Sequence, residues 1–396
     1  MPRKGHRLKK TRAPNPPPTI PTQPSATQPS LPKNSFVSKR GRSSLKEITR
    51  FFGTLDDHQR VTDADPTHMS FRVHAEEKLK FGLFNAYAPQ TDSNYSYGIK
   101  RFLKFAVRCG IPEHMALPPD PHILCLFIAE GIGRTGISMV KGHLSALAAW
   151  HKVNGITFVV PPQIAVLKKA IAHYHPVENK KPPRKPISPG MMECLAESWS
   201  KGSPKHACAL AIAVAAWTGQ LRLGELVPPS LKELDVTRLP KRNDWRLSKR
   251  VDKASTLTLP WTKTTKEKPV VVNLQPHDFP LDPSTAMLRH FLASKLDTSH
   301  LICEYRPSPS SKPVVMDKPA FMELCNEVWS SKGWPRFTGH SFRIGGTTAL
   351  LAAGVNPNVV KMLGRWSSDA YLLYWRNLEE IFATNVANIK WVDFEV

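Results

Sequence analysis

Between residues 73 and 176 apolar side chains recur three and four positions apart, and five segments carry the pattern: 76–87, 93–108, 121–130, 137–152 and 162–173. In the second, Tyr97, Ile99, Phe102, Leu103 and Phe105 lie on or beside one stripe, and in the fourth Val140, Leu144, Leu147 and Trp150 do. Such a stripe is the inner face of an amphipathic helix, so the pattern predicts a small all-helical domain. The stretch 177–187, V-E-N-K-K-P-P-R-K-P-I, breaks it and reads as a proline-stiffened linker. Ser188-Pro189 then supply a cap and a first-turn proline for a helix carrying Met192, Leu195 and Trp199. The apolar run 207–217 predicts a buried helix after it.

At 255–274 the period changes to two. Leu257, Leu259 and Trp261 alternate, as do Val270, Val272 and Leu274, which predicts a β-hairpin with T-K-T-T-K-E-K at its tip. Helical segments return at 283–296 and 319–330, with a Pro- and Ser-rich loop at 306–313. Three short helices are predicted within 338–376: one stopped by Gly354, one capped by Asn356-Pro357 and ended by Gly364, and one starting near Ser367 or Ser368 that carries Tyr371 and Tyr374. Beyond it, Leu378, Ile381, Phe382 and Ile389 mark an amphipathic terminal helix, which packs on its own domain or docks on a neighbouring subunit. Residues 1–72 are rich in Pro, Ser, Thr, Lys and Arg and read as a disordered tail. The domain reading is therefore a tail (1–72), a helical domain (73–176), a linker (177–187) and a second domain (188–396).

The charge narrows the partner. The 396 residues carry a formal net charge of +23, and Lys and Arg stay abundant after residue 70, so the excess is not confined to the tail. Nucleic acid is the expected polyanion. Lys100, Arg101, Lys104, Arg134, Lys141, Lys168 and Lys169 of the helical domain, with Lys180, Lys181, Arg184 and Lys185 of the linker, are its expected phosphate contacts. The tail clusters around Arg3–Arg12 and Lys39–Arg42 suit either a nuclear-import signal or a DNA-binding arm. Six cysteines form no C-x-x-C pair and no zinc spacing, so a reducing compartment and no structural metal are expected. The longest apolar run falls short of the roughly 18 residues a membrane span requires, and no secretory signal is read.

The candidate chemistry lies in T-G-H-S-F-R-I-G-G (338–346) and G-R-W-S-S-D-A-Y-L-L-Y-W-R (364–376). An arginine can bond phosphate oxygens bidentately, a histidine and an indole N–H can donate further bonds, and a tyrosine hydroxyl can attack phosphorus. Upstream, T-G-Q-L-R-L-G-E-L (218–226) adds Arg222, with Glu225 three residues on to orient it. With these motifs the chain resembles the tyrosine recombinase, or phage-integrase-type, family, and more closely its eukaryotic mobile-element branch, the Crypton and DIRS-like elements.

The resemblance implies a mostly α fold with a small β-hairpin or sheet: a helical core-binding domain and a mixed α/β catalytic domain, forming a C-shaped clamp on its partner, double-stranded DNA. It implies a catalytic set of Arg222, Glu225, Lys263, His340, Arg343, Trp366 and the nucleophile Tyr374. Lys266 is the alternative lysine. Tyr371 is the alternative nucleophile, since Tyr374 arrives one residue earlier after Trp366 than is usual in the family. The implied reaction breaks and rejoins DNA through a 3′-phosphotyrosine, without metal, ATP or other cofactor, in a homotetramer on paired sites and in the nucleus; the free protein is expected as a monomer or weak dimer. The reading from another class is a catalytically silent DNA-binding protein descended from such an enzyme. A type IB topoisomerase would share the chemistry, but G-H-S-F-R-I-G-G is similar to recombinases.

Overall fold

The computed structural model describes residues 44–52, 66–180, 182–249, 254–278 and 280–374. The chain divides into two compact units between Pro182 and Pro183. This falls inside the expected linker, although Ile187 already belongs to the second unit. Its side chain is buried there, its N–H donates to the Ser341 carbonyl, and its own carbonyl accepts from the Trp217 indole.

The first unit is helical: α1 (Leu45–Phe52), α2 (Pro66–Asn85), α3 (Pro89–Arg108), α4 (Pro121–Ala129), α5 (Ile137–Val153) and α6 (Gln163–His173). The five segments predicted from periodicity are α2 to α6. Ile99, Phe102 and Leu103 of α3 pack against Leu147 and Trp150 of α5, while Tyr97 is exposed. Asp120 caps α4 by accepting from the His122 and Ile123 N–H groups, and Pro121 follows at the first helical position.

The expected tail of 72 residues is too long. Leu45 and Ile48 of α1 are buried against this core, and the Leu45 N–H donates to Asp92 Oδ1 at 3.0 Å. A two-turn helix with two core residues leaves little periodic signal amid Pro- and Ser-rich neighbours. The helix expected from residue 76 likewise begins at Pro66. The basic clusters of the tail lie outside the described residues.

The second unit holds α7 (Pro189–Ser198), α8 (Pro204–Thr218), α9 (Pro283–Ser294), α10 (Lys318–Ser331), α11 (His340–Ala352) and α12 (Pro357–Leu363). Beside them lie two small antiparallel sheets: β1 (Trp245–Leu247), β2 (Ser255–Leu259) and β3 (Val270–Leu274) in that order, and β4 (Glu304–Tyr305) with β5 (Val314–Val315). The predicted hairpin is β2–β3, in the register Leu257 to Val272 and Leu259 to Val270. At its centre runs α8, buried from Ala207 to Trp217 and packed by α7, α9 and α11. Its alanines give neighbouring helices close approach.

Two glycines show how tight that approach is. A Cβ on Gly346 of α11 would stand 1.9 Å from the Trp217 carbonyl oxygen, and one on Gly345 would stand 2.1 Å from that of Ile187. No larger residue fits either position without moving backbone. Thus α11 is seated directly on the end of α8, which is what positions the polar cluster described next. Among the described residues no helix is long and apolar enough to cross a membrane, and all six cysteines are free.

Candidate active site

Three short segments meet at this seat. The first is the turn after α8, where Gly219 and Gln220 lead into a 3-10 turn at Leu223–Glu225 preceded by Arg222. Glu225, 2% exposed, organises it. Its Oε1 accepts from Arg222 Nη1 at 3.0 Å and its Oε2 from the Arg222 N–H at 2.9 Å. Oε2 also accepts from Arg365 Nη2 at 2.7 Å. A buried carboxylate is costly unless paired, and here two guanidiniums and a backbone amide pair it.

The second segment is the start of α11, which delivers His340 and Arg343 one turn apart. Arg343 is 1% exposed. Its Nη1 donates to the Gln220 carbonyl and its Nη2 to that of Gly364, so it ties the first segment to the third. Its guanidinium lies 4.1 Å from the Trp366 ring centre, a cation–π stack. Burial, aided by the nearby charges of Arg222 and Arg365, pushes its pKa down to about 9.

The third segment is the end of α12 and the turn beyond. The predicted third helix is a 3-10 helix, Asp369–Tyr374, in which residues three apart eclipse. Tyr371 is buried with Leu351 and Val360 and is a packing residue. Tyr374 is half-buried, and its Oη lies 3.0 Å from His340 Nε2. Its carbonyl accepts from Thr348 Oγ1 at 3.2 Å, which anchors the backbone carrying the phenol. The expected terminal helix lies outside the described residues.

His340 has its pKa lowered, first by burial and then by the charges of Arg184, Arg343, Arg222 and Lys318. At neutral pH it is therefore uncharged and can accept the tyrosine proton through Nε2. A phenol poised on a neutral imidazole, beside three guanidiniums offset by one carboxylate, can bring a nucleophilic oxygen to an anionic phosphorus centre.

Of the residues expected from sequence, Arg222, Glu225, His340, Arg343, Trp366 and Tyr374 thus come together. Trp366 differs in its contact: it meets Arg343 with its ring face, and a Cβ on Gly364 would stand 2.2 Å from its Nε1. Lys263 is exposed on the hairpin tip, and among the described residues no hydrogen bond or ion pair joins it to the cluster. The alternative, Lys266, pairs its backbone with Thr262 across the same tip.

Arg101, Lys104, Arg134, Lys141, Lys169, Lys180 and Lys185 are exposed, whereas Lys100 and Lys168 are half-buried. Arg184, expected as a DNA contact, stands close enough to His340 to act on its charge. Lys181 lies outside the described residues. Sequence reasoning missed Arg365, although it sits in the quoted G-R-W, because Gly364 already fills the expected helix stop and leaves the arginine no local signal.

Solved structures share this architecture. XerH site-specific recombinase, bound to palindromic difH substrate in a post-cleavage complex, aligns over 87% of this chain and 96% of its own, with TM-score 0.52 and 12% identity. A lambda integrase dimer bound to a COC′ core site aligns over 89% and 88%, with TM-score 0.48 and 12% identity. The Tn1549 transposon integrase with transposon right-end DNA covers 87% and 99%, at 0.41 and 11%. No family model and no curated protein matches the chain. The shared feature is the fold, that of the tyrosine recombinases: mostly helical, with small antiparallel sheets.

Proposed function

We propose that the protein is a DNA strand-breaking and rejoining enzyme, a tyrosine recombinase that acts through a 3′-phosphotyrosine intermediate. The observation that carries the reading is the 3.0 Å pair of Tyr374 Oη and His340 Nε2, set beside Arg222 and Arg343. Tyr374 Oη attacks the scissile phosphorus and gives its proton to His340. The O–P bond to the 5′ oxygen breaks as the Tyr374–phosphorus bond forms. Arg222 and Arg343 stabilise the charge on the nonbridging oxygens. Lys263, by the family resemblance, protonates the leaving 5′ oxygen from the hairpin tip. A 5′-hydroxyl of a partner strand reverses the step, and the phosphotyrosyl bond conserves the energy of the one it replaced.

The exposed cations of the helical unit, with Lys180, Arg184 and Lys185, grip the phosphate backbone of the duplex. Strand exchange between paired sites requires four such subunits, a homotetramer. The affiliation is to Crypton or DIRS-like mobile elements, and the basic tail and the DNA substrate accord with a nuclear location.

The test is covalent trapping. Wild type, Tyr374→Phe and Tyr371→Phe are each incubated with supercoiled DNA in EDTA and quenched in SDS. A protein–DNA adduct and relaxed plasmid in wild type and Tyr371→Phe, both absent in Tyr374→Phe, are expected. Binding without any adduct in wild type would leave the DNA-binding descendant as the better description.

A further inference from the structure

We propose that Arg365 is a third phosphate-binding arginine of this site, donating to a nonbridging oxygen of the scissile phosphodiester. The inference rests on the recombinase reading and adds a residue to it. Three observations carry it.

The first is backbone conformation. α12 ends in a double-bonded C-terminal motif: the Arg365 N–H donates to the Met362 carbonyl and the Trp366 N–H to that of Lys361, both at 3.0 Å. This motif requires one left-handed residue, and glycine is the usual one. At the end of α11 the position is filled by Gly354, with φ +78. At the end of α12 it is filled by Arg365, with φ +54. The glycine next to it, Gly364, has ordinary helical φ and is needed for another reason: the Trp366 ring and Gln220 Oε1 occupy the space of its Cβ. A left-handed arginine therefore stands where glycine would cost less, and strain of this kind collects at functional positions.

The second is pairing. Arg365 Nη2 bonds Glu225, the carboxylate that also orients Arg222, so the two arginines are held by one anchor. Arg365 Nη1 is buried with no partner, as are Trp366 Nε1 and Gln220 Nε2 nearby. Buried donors without acceptors are rare in folded proteins, and three of them around one guanidinium stack point to an acceptor that arrives with the ligand.

The third is charge. Arg222, Arg343 and Arg365 lie close enough to act on one another, and Glu225 is the carboxylate that offsets them. The excess positive charge is complementary to an anion. The Trp366 and Tyr374 rings lie 5.6 Å apart at this cluster, which places the phenol of the proposed nucleophile beside the same guanidiniums. Trp366 then clamps Arg343 with its ring face, and Arg365 joins its indole N–H as a donor to the same anion.

The experiment has two arms, each using the full chain. In the first, thermal unfolding is followed against inorganic phosphate at constant ionic strength, for wild type, Arg365→Gly, Arg365→Lys and the exposed control Arg336→Gln. Arg365→Gly relieves the left-handed strain and so retains the fold. It is expected to lose at least about tenfold in phosphate affinity, with Arg365→Lys intermediate and Arg336→Gln as wild type. Equal affinity in wild type and Arg365→Gly, or no phosphate effect in wild type, overturns the proposal.

In the second arm the DNA adduct is measured on a phosphodiester and on a methylphosphonate at the cleavage position, which lacks the charged oxygen. Arg365→Gly is expected to fail on the first and recover on the second; wild-type rates on both overturn the proposal while leaving the recombinase reading intact. A wild type that traps no DNA but binds phosphate through Arg365 supports the anion site and counts against the recombinase reading.

Discussion

The cations of the helical unit and those around Tyr374 are the same residue types in opposite settings. Arg101, Lys104, Lys141 and Lys169 stand exposed on α3, α5 and α6, and their backbones are ordinary helix. Arg343 is fully buried, Arg222 and Arg365 share one buried carboxylate, and Arg365 adopts a left-handed conformation. Exposed charges cost almost nothing to hold and interact weakly one at a time, which suits sequence-independent, salt-sensitive grip on a phosphate chain. Buried, mutually repelling charges are expensive, and a fold that holds them fixes their geometry before the ligand arrives. On the proposed function, that difference separates binding DNA from acting on it.

The sharpest break in that comparison is at the nucleophile: Tyr374→Phe removes covalent adduct altogether, while DNA affinity, measured by filter binding, stays within about twofold. Next is the arginine under Trp366. Arg343→Ala is expected to lower the cleavage rate by roughly 10²–10³-fold or more, as for removal of one buried oxyanion donor, in single-turnover trapping. Glu225→Ala strikes both anchored arginines at once. It is expected to cost about 3–5 kcal/mol of stability in urea unfolding, because two guanidiniums lose a buried partner.

On the helical side, Arg101→Ala with Lys141→Ala is expected to leave stability nearly unchanged. The slope of log affinity against log salt becomes shallower by about 0.9 for each phosphate that the variant no longer neutralises. The smallest effect is that of pH. His340 works uncharged and its folded pKa is lowered, so cleavage holds as pH falls past 6.5 and drops only through the depressed value. The same sign applies to stability: the unfolded histidine takes up its proton first, so this contribution is present above pH 6.5 and is lost as pH falls.

Much of this was legible in the chain. The helices α3 to α12 followed from period and from caps such as Ser188-Pro189 and Asn356-Pro357, since capping chemistry is local. The site motifs were legible because Arg222, Glu225, His340, Arg343 and Trp366 each lie within one or two turns of a glycine that the packing requires, whereas Tyr374, ten residues beyond Gly364, was legible from the Y-W-R ending. Three features were not legible. The two-turn α1 buries only Leu45 and Ile48 among its described side chains, too few to make a period. Strands β1, β4 and β5 span two or three residues, below the length at which alternation shows. The place of Arg365 depends on φ and on a carboxylate 140 positions away, and neither can be read from G-R-W alone.

The central claim is that Tyr374 forms the bond to DNA, and the most direct measurement locates that bond. The trapped adduct is digested with nuclease and trypsin, and fragment ions of peptide 366–376, which contains both Tyr371 and Tyr374, are read by mass spectrometry. A nucleotide on Tyr374 is the result predicted here; a nucleotide on Tyr371, on a residue outside this peptide, or on none would contradict it.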